Sequence, residues 1–434
     1  MLGRMLGCCI AICTSAGIAQ GEVYAQVQTS AYADTVTMSL EQAEQQFLEN
    51  NLALVAQHYQ VEAGKALIQQ ARLWDNPVLN TDQNVYSNNR YFEHGVNASG
   101  QPYGQYYIQV EQLIKTAGKR GKEIKMARTS AEISQLQLND LMRNLKYQLR
   151  NDYYTLAQLQ GKQALYAQGK DQLAKLLQGM EQQYKAGNIA HKDLLRVQAL
   201  KIALEQEAAE NGKQVNEIQA ELQTLLHLEA GSYIKTTGAA NTIALLPPME
   251  LGELYNTALQ NNPAYKLNEM QLQYQQQNLA MQKAVAVPDV TIGPNFDKNS
   301  NYTPNYYGLA ISLPLPAFNR NQGNIKAARW QVKSAETEVA QAKTELGHQL
   351  EKAYNNLKLV ASLNTGADRQ FYADYDQLYK NIMESYRQRQ ISLVEFIDYF
   401  EAYKDTKQQQ LTHDLNLQMA KEELNYITGK DIIH

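Results

Sequence analysis

Apolar positions recur at three- and four-residue spacing through most of this chain, and the exceptions come in pairs. Ser39-Leu40-Glu41-Gln42 reads as a capping box, so a helix is predicted from Ser39 to about Asp75, where Pro77 stops it. Residues 78–92 and 103–114 then read as extended. In the second of these, Tyr106, Ile108 and Val110 alternate with Tyr107, Gln109 and Glu111, a period of two with one apolar and one mostly polar face. A polar loop, Ser87 to Pro102, lies between them. After Gly118, the residues Ile124, Ala127, Ala131, Ser134, Leu138, Leu141 and Leu145 keep a coiled-coil spacing. No proline occurs between Pro102 and Pro247, which predicts one helix to about Lys185. Roughly 65 residues at 1.5 Å each span about 100 Å, far beyond an ordinary globular helix. Ala186-Gly187-Asn188 breaks it, and another helix runs from about His191 to Leu228.

The same order then returns: helix 250–286, strand 289–297, strand 306–315, long helix 323–387, a turn, and helix 392–428. Residues repeat with it. Asn50-Asn51-Leu52-Ala53 matches Asn261-Asn262-Pro263-Ala264 at an offset of 211, as Pro77 matches Pro288. Lys119-Arg120-Gly121-Lys122 matches Arg320-Asn321-Gln322-Gly323 at 201, so one loop is about ten residues shorter in the second copy. Tyr184, Ile189 and Asp193 match Tyr386, Ile391 and Glu395 at 202. A duplication of this length sets the architecture: two halves, 26–230 and 249–434, joined by a linker at 231–248 that carries Gly231, Gly238 and Pro247-Pro248.

Each half presents a β-hairpin with an apolar face and open edges, an arrangement that is marginal in water and invites pairing with further strands. Tyr86, Tyr91, Phe92, Tyr103, Tyr106, Tyr107, Tyr302, Tyr306 and Tyr307 gather around the strands, as in the aromatic girdle of a membrane barrel. Strand propensity alone would also place tyrosines there. The helices are rich in Ala, Gln, Asn, Ser and Lys and poor in large apolar residues, which suits thin-walled packing with a wetted face.

Composition narrows the function. The 434 residues carry a net charge of −4 with a pI of about 6.0, so there is no general nucleic-acid footprint. Mean hydropathy is −0.50, and no long apolar run follows the N-terminus, against an ordinary transmembrane helix. Residues 1–25 read as a secretory signal: Arg4 supplies charge, Leu6 to Ala19 the apolar core, and cleavage sites fall after Ala19 or Ala25. Cys8, Cys9 and Cys13 all lie inside it, so the mature chain is expected to have no disulfide or thiol chemistry. Met5-Leu6-Gly7-Cys8 faintly resembles a lipid-attachment box but precedes any apolar core. His58, His94, His191, His227, His348, His413 and His434 are scattered without His-x-x-x-His spacing, and no Gly-x-Gly-x-x-Gly or P-loop occurs. No catalytic, cofactor or metal site is expected.

The passage Ser312-Leu313-Pro314-Leu315-Pro316-Ala317-Phe318-Asn319-Arg320-Asn321-Gln322-Gly323-Asn324-Ile325 resembles the strand-to-helix passage of the TolC family of outer-membrane factors. Asn262-Pro263, Pro288 and Tyr184-Lys185-Ala186-Gly187-Asn188-Ile189 support the resemblance, which covers essentially the whole mature chain. It implies a mostly α fold with membrane β: a homotrimer whose four strands per copy close a twelve-stranded outer-membrane barrel above an α-helical periplasmic barrel. In each half, two shorter helices would stack end to end alongside the long one. It also implies a passive exit duct, joined through a periplasmic adaptor to an inner-membrane pump of the resistance-nodulation-division type. The Pro-Leu-Pro-Ala-Phe-Asn-Arg-Asn-Gln-Gly run is most similar to the heavy-metal cation branch, with drug efflux and type I protein secretion as alternatives.

By the same resemblance, the tips Lys185–Asp193 and Arg387–Glu395 face the partner machinery, with Tyr184, Gly187, Asn188, Ile189, Asp193, Tyr386 and Ile391 as contact candidates. Gly187 has Arg389 as its counterpart, so the two tips should not meet a partner identically. Glu395 and Asp398 correspond to an aperture of acidic residues; tripled, they would ring a narrow opening with six carboxylates. Arg387 and Arg389 would supply closing salt bridges. Acids at a helix start also suit the macrodipole without any gating role. Lys115, Lys119, Arg120, Lys122, Lys125 and Arg128 form either a periplasmic membrane-facing cluster or a solvated face. Rival readings are a periplasmic adaptor, which would carry one helical hairpin between β-rich flanks, and a soluble coiled-coil scaffold, which leaves the alternating strands unexplained.

Overall fold

The computed structural model describes residues 34–87, 89–100, 102–237, 250–300, 302–363 and 366–433. The expected signal segment with its three cysteines, most of the linker and His434 lie outside these residues. In chain order the elements are β1 (Asp34–Met38), α1 (Leu40–Asn50), α2 (Leu52–Arg72), β2 (Val78–Gln83), the short pairs β3 (Tyr86–Ser87) with β4 (Arg90–Tyr91) and β5 (Gly95–Val96) with β6 (Pro102–Tyr103), β7 (Tyr106–Ile114), α3 (Lys119–Lys185), α4 (His191–Leu226) and β8 (Ser232–Thr236). The second half follows: α5 (Leu251–Asn261), α6 (Pro263–Val285), β9 (Val290–Asn299), β10 (Pro304–Ser312), α7 (Gln322–Ser362), α8 (Gly366–Arg387) and α9 (Leu393–Thr428).

The Ser39 capping box forms as expected, with Ser39 and Gln42 satisfying each other's backbone amides. The helix it starts does not run through to Asp75. Asn51 is at once the C-cap of α1 and the N-cap of α2, and its side chain accepts from the amides of Ala53 and Leu54. Asn262 divides α5 from α6 in the same way, with Pro263 in the first turn, where its missing N–H costs nothing. The paired asparagines therefore mark joints inside the predicted helices. The first long helix is continuous over 67 residues. The second is not: α7 ends at Ser362 and α8 begins at Gly366, so the two repeats differ at mid-length.

The polar stretch 87–102 holds the two short strand pairs rather than a bare loop. The four longer strands form one antiparallel sheet in the order β10-β9-β7-β2. The hairpins join through β7 and β9, with Ile108 opposite Phe296 and Ile114 opposite Val290. Their inner edges thus satisfy each other, while the outer edges of β2 and β10 meet no further strand among the described residues. The segment expected to be a linker contributes β8, which pairs in parallel with β1 from the start of the described chain. The Tyr153 hydroxyl lies between the carbonyls of Met38 (2.9 Å) and Thr237 (2.7 Å), fixing this ribbon to α3.

The two shorter helices of the first half, α2 and α4, both lie along α3. Beneath the sheet the helices pack in the order α2, α3, α6, α7; at the far end the order is α4, α3, α9, α8. Three separate apolar clusters are strung along these layers, centred on Phe47 with Leu222, on Leu350 with Leu424, and on Phe396 with Leu173. Between the first two, Arg150 bridges Glu44 (2.5 Å), Glu422 (2.5 Å) and Asp431 (2.9 Å), so α1, α3, α9 and the C-terminal tail share one ion network. Burial pushes the Glu422 carboxyl up, with Arg150 opposing. Burial also works against charge on Asp431, but hydrogen bonds from Lys146 and Arg150 more than offset it and hold that carboxyl below its usual range.

Candidate functional site: the paired hairpin tips

Both tips are built by the same backbone turn. At the end of α3, Gly187 adopts φ +77°, its amide bonds the Tyr184 carbonyl and the Asn188 amide reaches the Gln183 carbonyl. At the end of α8, Arg389 adopts φ +60°, its amide bonds Tyr386 and the Gln390 amide bonds Ser385. This is the Schellman arrangement, which wants a left-handed residue that glycine supplies without strain. Arginine at that place is costlier, and its side chain has a use: Arg389 donates to Gln183 Oε1 of the other tip at 3.2 Å. Asn188 donates to the same oxygen at 2.9 Å, so Gln183 ties the tips together.

The tips differ again one turn on. Ser392 and Glu395 form a capping box at the start of α9, with the Ser392 amide donating to Glu395 at 2.8 Å. That amide, then the Ser392 hydroxyl, holds the Glu395 carboxyl below its usual range. In the first tip, Ala190 stands where Ser392 stands, so Asp193 has no box to complete. Asp193 instead lies near Tyr386, whose hydroxyl is pushed up by burial and then by that negative charge. Tyr184 stacks on His191 (5.1 Å between rings), and Tyr386 on Phe396 (4.7 Å). Ile189 and Ile391 pack beneath, against the cluster of Leu173, Phe396 and Phe400.

Glu395 and Asp398 are both exposed, on the face of α9 opposite Phe396, Phe400 and Tyr403. Among the described residues, no ion pair joins Arg387 or Arg389 to Glu395 or Asp398. Arg387 faces Glu384 on its own helix at 3.9 Å, and Arg389 is taken up by Gln183. A cleft of about 480 Å³ separates the tips, with Met180, Met383, Tyr386, Arg387 and Arg389 on its walls.

Sequence reasoning missed the aromatic stack behind the tips. Tyr379 lies on Tyr403 at 3.8 Å and 7°, Phe371 stacks on Tyr375, and Asp376 accepts from Tyr403 and Lys407. The spacing Tyr372, Tyr375, Tyr379, Tyr386 carried the signal, since it marks one helix face. Among the described residues, no group of three or more His, Cys, Asp or Glu side chains is placed to hold a metal ion, and no helix is long and apolar enough to cross a membrane.

A duplicated helix–hairpin–helix unit, with one shared sheet above and two tips below, matches the profile of the outer membrane efflux protein family over residues 43–227 and 254–430. The chain belongs to that family. Among its relatives, the cobalt-zinc-cadmium resistance protein CzcC of Cupriavidus metallidurans is 24% identical over 310 residues, covering 71% of this chain and 70% of CzcC. The nickel-cobalt-cadmium resistance protein NccC of Alcaligenes xylosoxydans xylosoxydans is 22% identical over 302 residues, covering 69% and 66%. Among solved structures, CusC superposes with a TM-score of 0.70 over 92% of this chain and 94% of its own at 15% identity. The CmeC outer membrane channel of Campylobacter jejuni superposes with a TM-score of 0.74 over 91% and 87% at 11% identity. The fold is TolC-like, and the protein is an efflux protein of the outer membrane with a periplasmic extension.

Proposed function

We propose that the chain is the passive exit duct of a tripartite efflux system, assembled as a homotrimer of two-repeat protomers. The open edges carry this reading. The sheet ends in β2 and β10, whose outer edges meet no further strand among the described residues, and the helical layer below ends in α2 and α7, with Tyr59 and Leu67 exposed on α2. An open edge that recurs at every level on two different sides is what a closing head-to-tail ring requires. Three copies of four strands close twelve, and the outward row Tyr307, Leu309, Ile311 and Leu313 then meets lipid.

The tips are the docking end for a periplasmic adaptor and an inner-membrane pump of the resistance-nodulation-division type. Glu395 and Asp398, on the exposed face of α9, form the aperture in this reading, with Arg389 holding the tips closed through Gln183. Heavy-metal cations are the proposed cargo, supported by the resistance proteins the chain resembles and by the affinity of carboxylate rings for cations. Loss of divalent-metal tolerance on deletion, with drug tolerance unchanged, is the expected result. Loss of drug tolerance alone would move the cargo to that class, and a monomer after mild detergent extraction of the outer membrane would overturn the duct.

A further inference from the structure

The two passages from strand to long helix are both basic, yet their charges are spent differently. In the first, Lys119 is buried and paired with Asp289 at 2.7 Å, Lys115 meets Glu123 and Asp75, and Arg120 lies over the Trp74 ring. Lys119 thereby fastens the first half to the second, and Lys115 and Arg120 tie the passage to the end of α2. In the second, Arg320, Lys326, Arg329 and Lys333 are exposed, and none has an ion-pair partner among the described residues. The sequence from Lys298 to Ala335 holds no Asp or Glu, so no acid on this passage can neutralise them.

Their surroundings are those of a membrane surface. The outward apolar row of β10 continues through Leu313 and Leu315 to Phe318, which is 96% exposed, and the cations begin two residues later. Trp330 stands among them with Lys333 5.0 Å from its ring, beside a shallow cleft of about 560 Å³ lined by Arg320, Arg329 and Trp330. Apolar row, aromatic residues, then cations is the order in which a chain leaves a bilayer. Clustered Lys and Arg next to a membrane select anionic headgroups.

We propose that the cationic face running from Arg320 into α7 as far as Lys333 binds the headgroups of anionic phospholipid at the periplasmic surface of the outer membrane. This rests on reading the strands as a membrane barrel. The test uses the full-length assembly extracted from outer membranes and short-chain phosphatidylglycerol, followed by native mass spectrometry. Wild type is expected to retain phosphatidylglycerol over phosphatidylcholine, and K326Q with K333Q, both at exposed positions, to lose about tenfold in that affinity. In a Trp74→Phe background, Trp330 fluorescence is expected to be quenched by brominated phosphatidylglycerol and not by brominated phosphatidylcholine. Unchanged lipid retention in the double variant overturns the proposal. Displacement by equimolar inorganic phosphate makes the face a general anion site and overturns the lipid assignment. Dissociation of the double variant into single chains makes the face a contact between copies instead. Absence of wild type from the outer-membrane fraction would instead sink the barrel reading itself.

Discussion

The side chain of Asn51 donates to the carbonyl of Leu225 at 2.9 Å, and its counterpart in the second half, Asn262, donates to the carbonyl of Ile427 at 2.9 Å. Each asparagine caps the helix it begins while satisfying a carbonyl near the end of the helix beside it. Replacing either by alanine removes a cap and orphans a buried carbonyl, a loss of about 1–3 kcal/mol. The apparent Tm of N51A and N262A should fall by similar amounts, and the double variant should show their sum. An asparagine joint that is merely local would leave one of the two variants unaffected.

Arg150 should be among the least replaceable residues in the periplasmic part. Arg150→Met leaves buried Glu422 without its cation, and Glu44 and Asp431 with Lys146 alone. Removing one partner of a buried network costs about 3–5 kcal/mol. Urea denaturation at pH 7 would measure it, and the loss should shrink in acid, where the carboxylates are protonated.

Asp152 works against stability at neutral pH. It is buried on α3, one of its oxygens has no hydrogen-bond partner, and burial followed by the charge of Glu221 raises its pKa to about 6. A carboxyl raised on folding favours the native state while protonated, and that advantage is lost as pH rises from about 4 through 6. Asp152→Asn should therefore stabilise the fold at pH 7.5 by on the order of 1–3 kcal/mol, read as a higher Tm, and change nothing below pH 4. Equal shifts at both pH values would show that packing, not ionisation, is responsible.

The two aperture acids should separate by variant. Glu395→Ala breaks the capping box and should lower thermal stability, whereas Asp398→Ala touches no such bond. If Asp398 lines the opening, D398A in planar bilayers should keep wild-type thermal stability and lose cation preference. Unchanged selectivity in both variants would leave the acids with the helix start alone.

Arg389→Gly should uncouple turn from latch. Glycine suits the left-handed position, as Gly187 does at the matching place, so the turn should persist or gain on the order of 1 kcal/mol. The bond to Gln183 goes, and single-channel conductance should rise. A conductance equal to wild type would show that the tips are held by their apolar contacts.

Much of this was legible in the residues. The capping box at Ser39, the period-two strands, the uninterrupted α3 and the doubling all follow from local rules, because short-range hydrogen bonding and side-chain periodicity act within a few residues. Strand limits were less legible: 103–114 became Tyr106–Ile114, and 78–92 ended at Gln83, because the polar stretch between folds on itself. The tip turns are marked by Gly187 and its surroundings, and the capping box that engages Glu395 has its own local mark in Ser392-x-x-Glu395.

The sequence by itself determined the repeat, the element types and the family, since a duplicated pattern of proline, glycine and apolar spacing needs no partner to be read. Only the tertiary structure decided that β7 joins β9, that β8 pairs with β1, that the long helix of the second half breaks near Leu363, and that Lys119 is spent on Asp289 while Arg320 is not. The pairings among these depend on groups some 170 to 200 positions apart, as Lys119 and Asp289 are. Two open edges carry no local mark of the strand they will meet, and a lysine reads the same whether its partner is a carboxylate of its own chain or water.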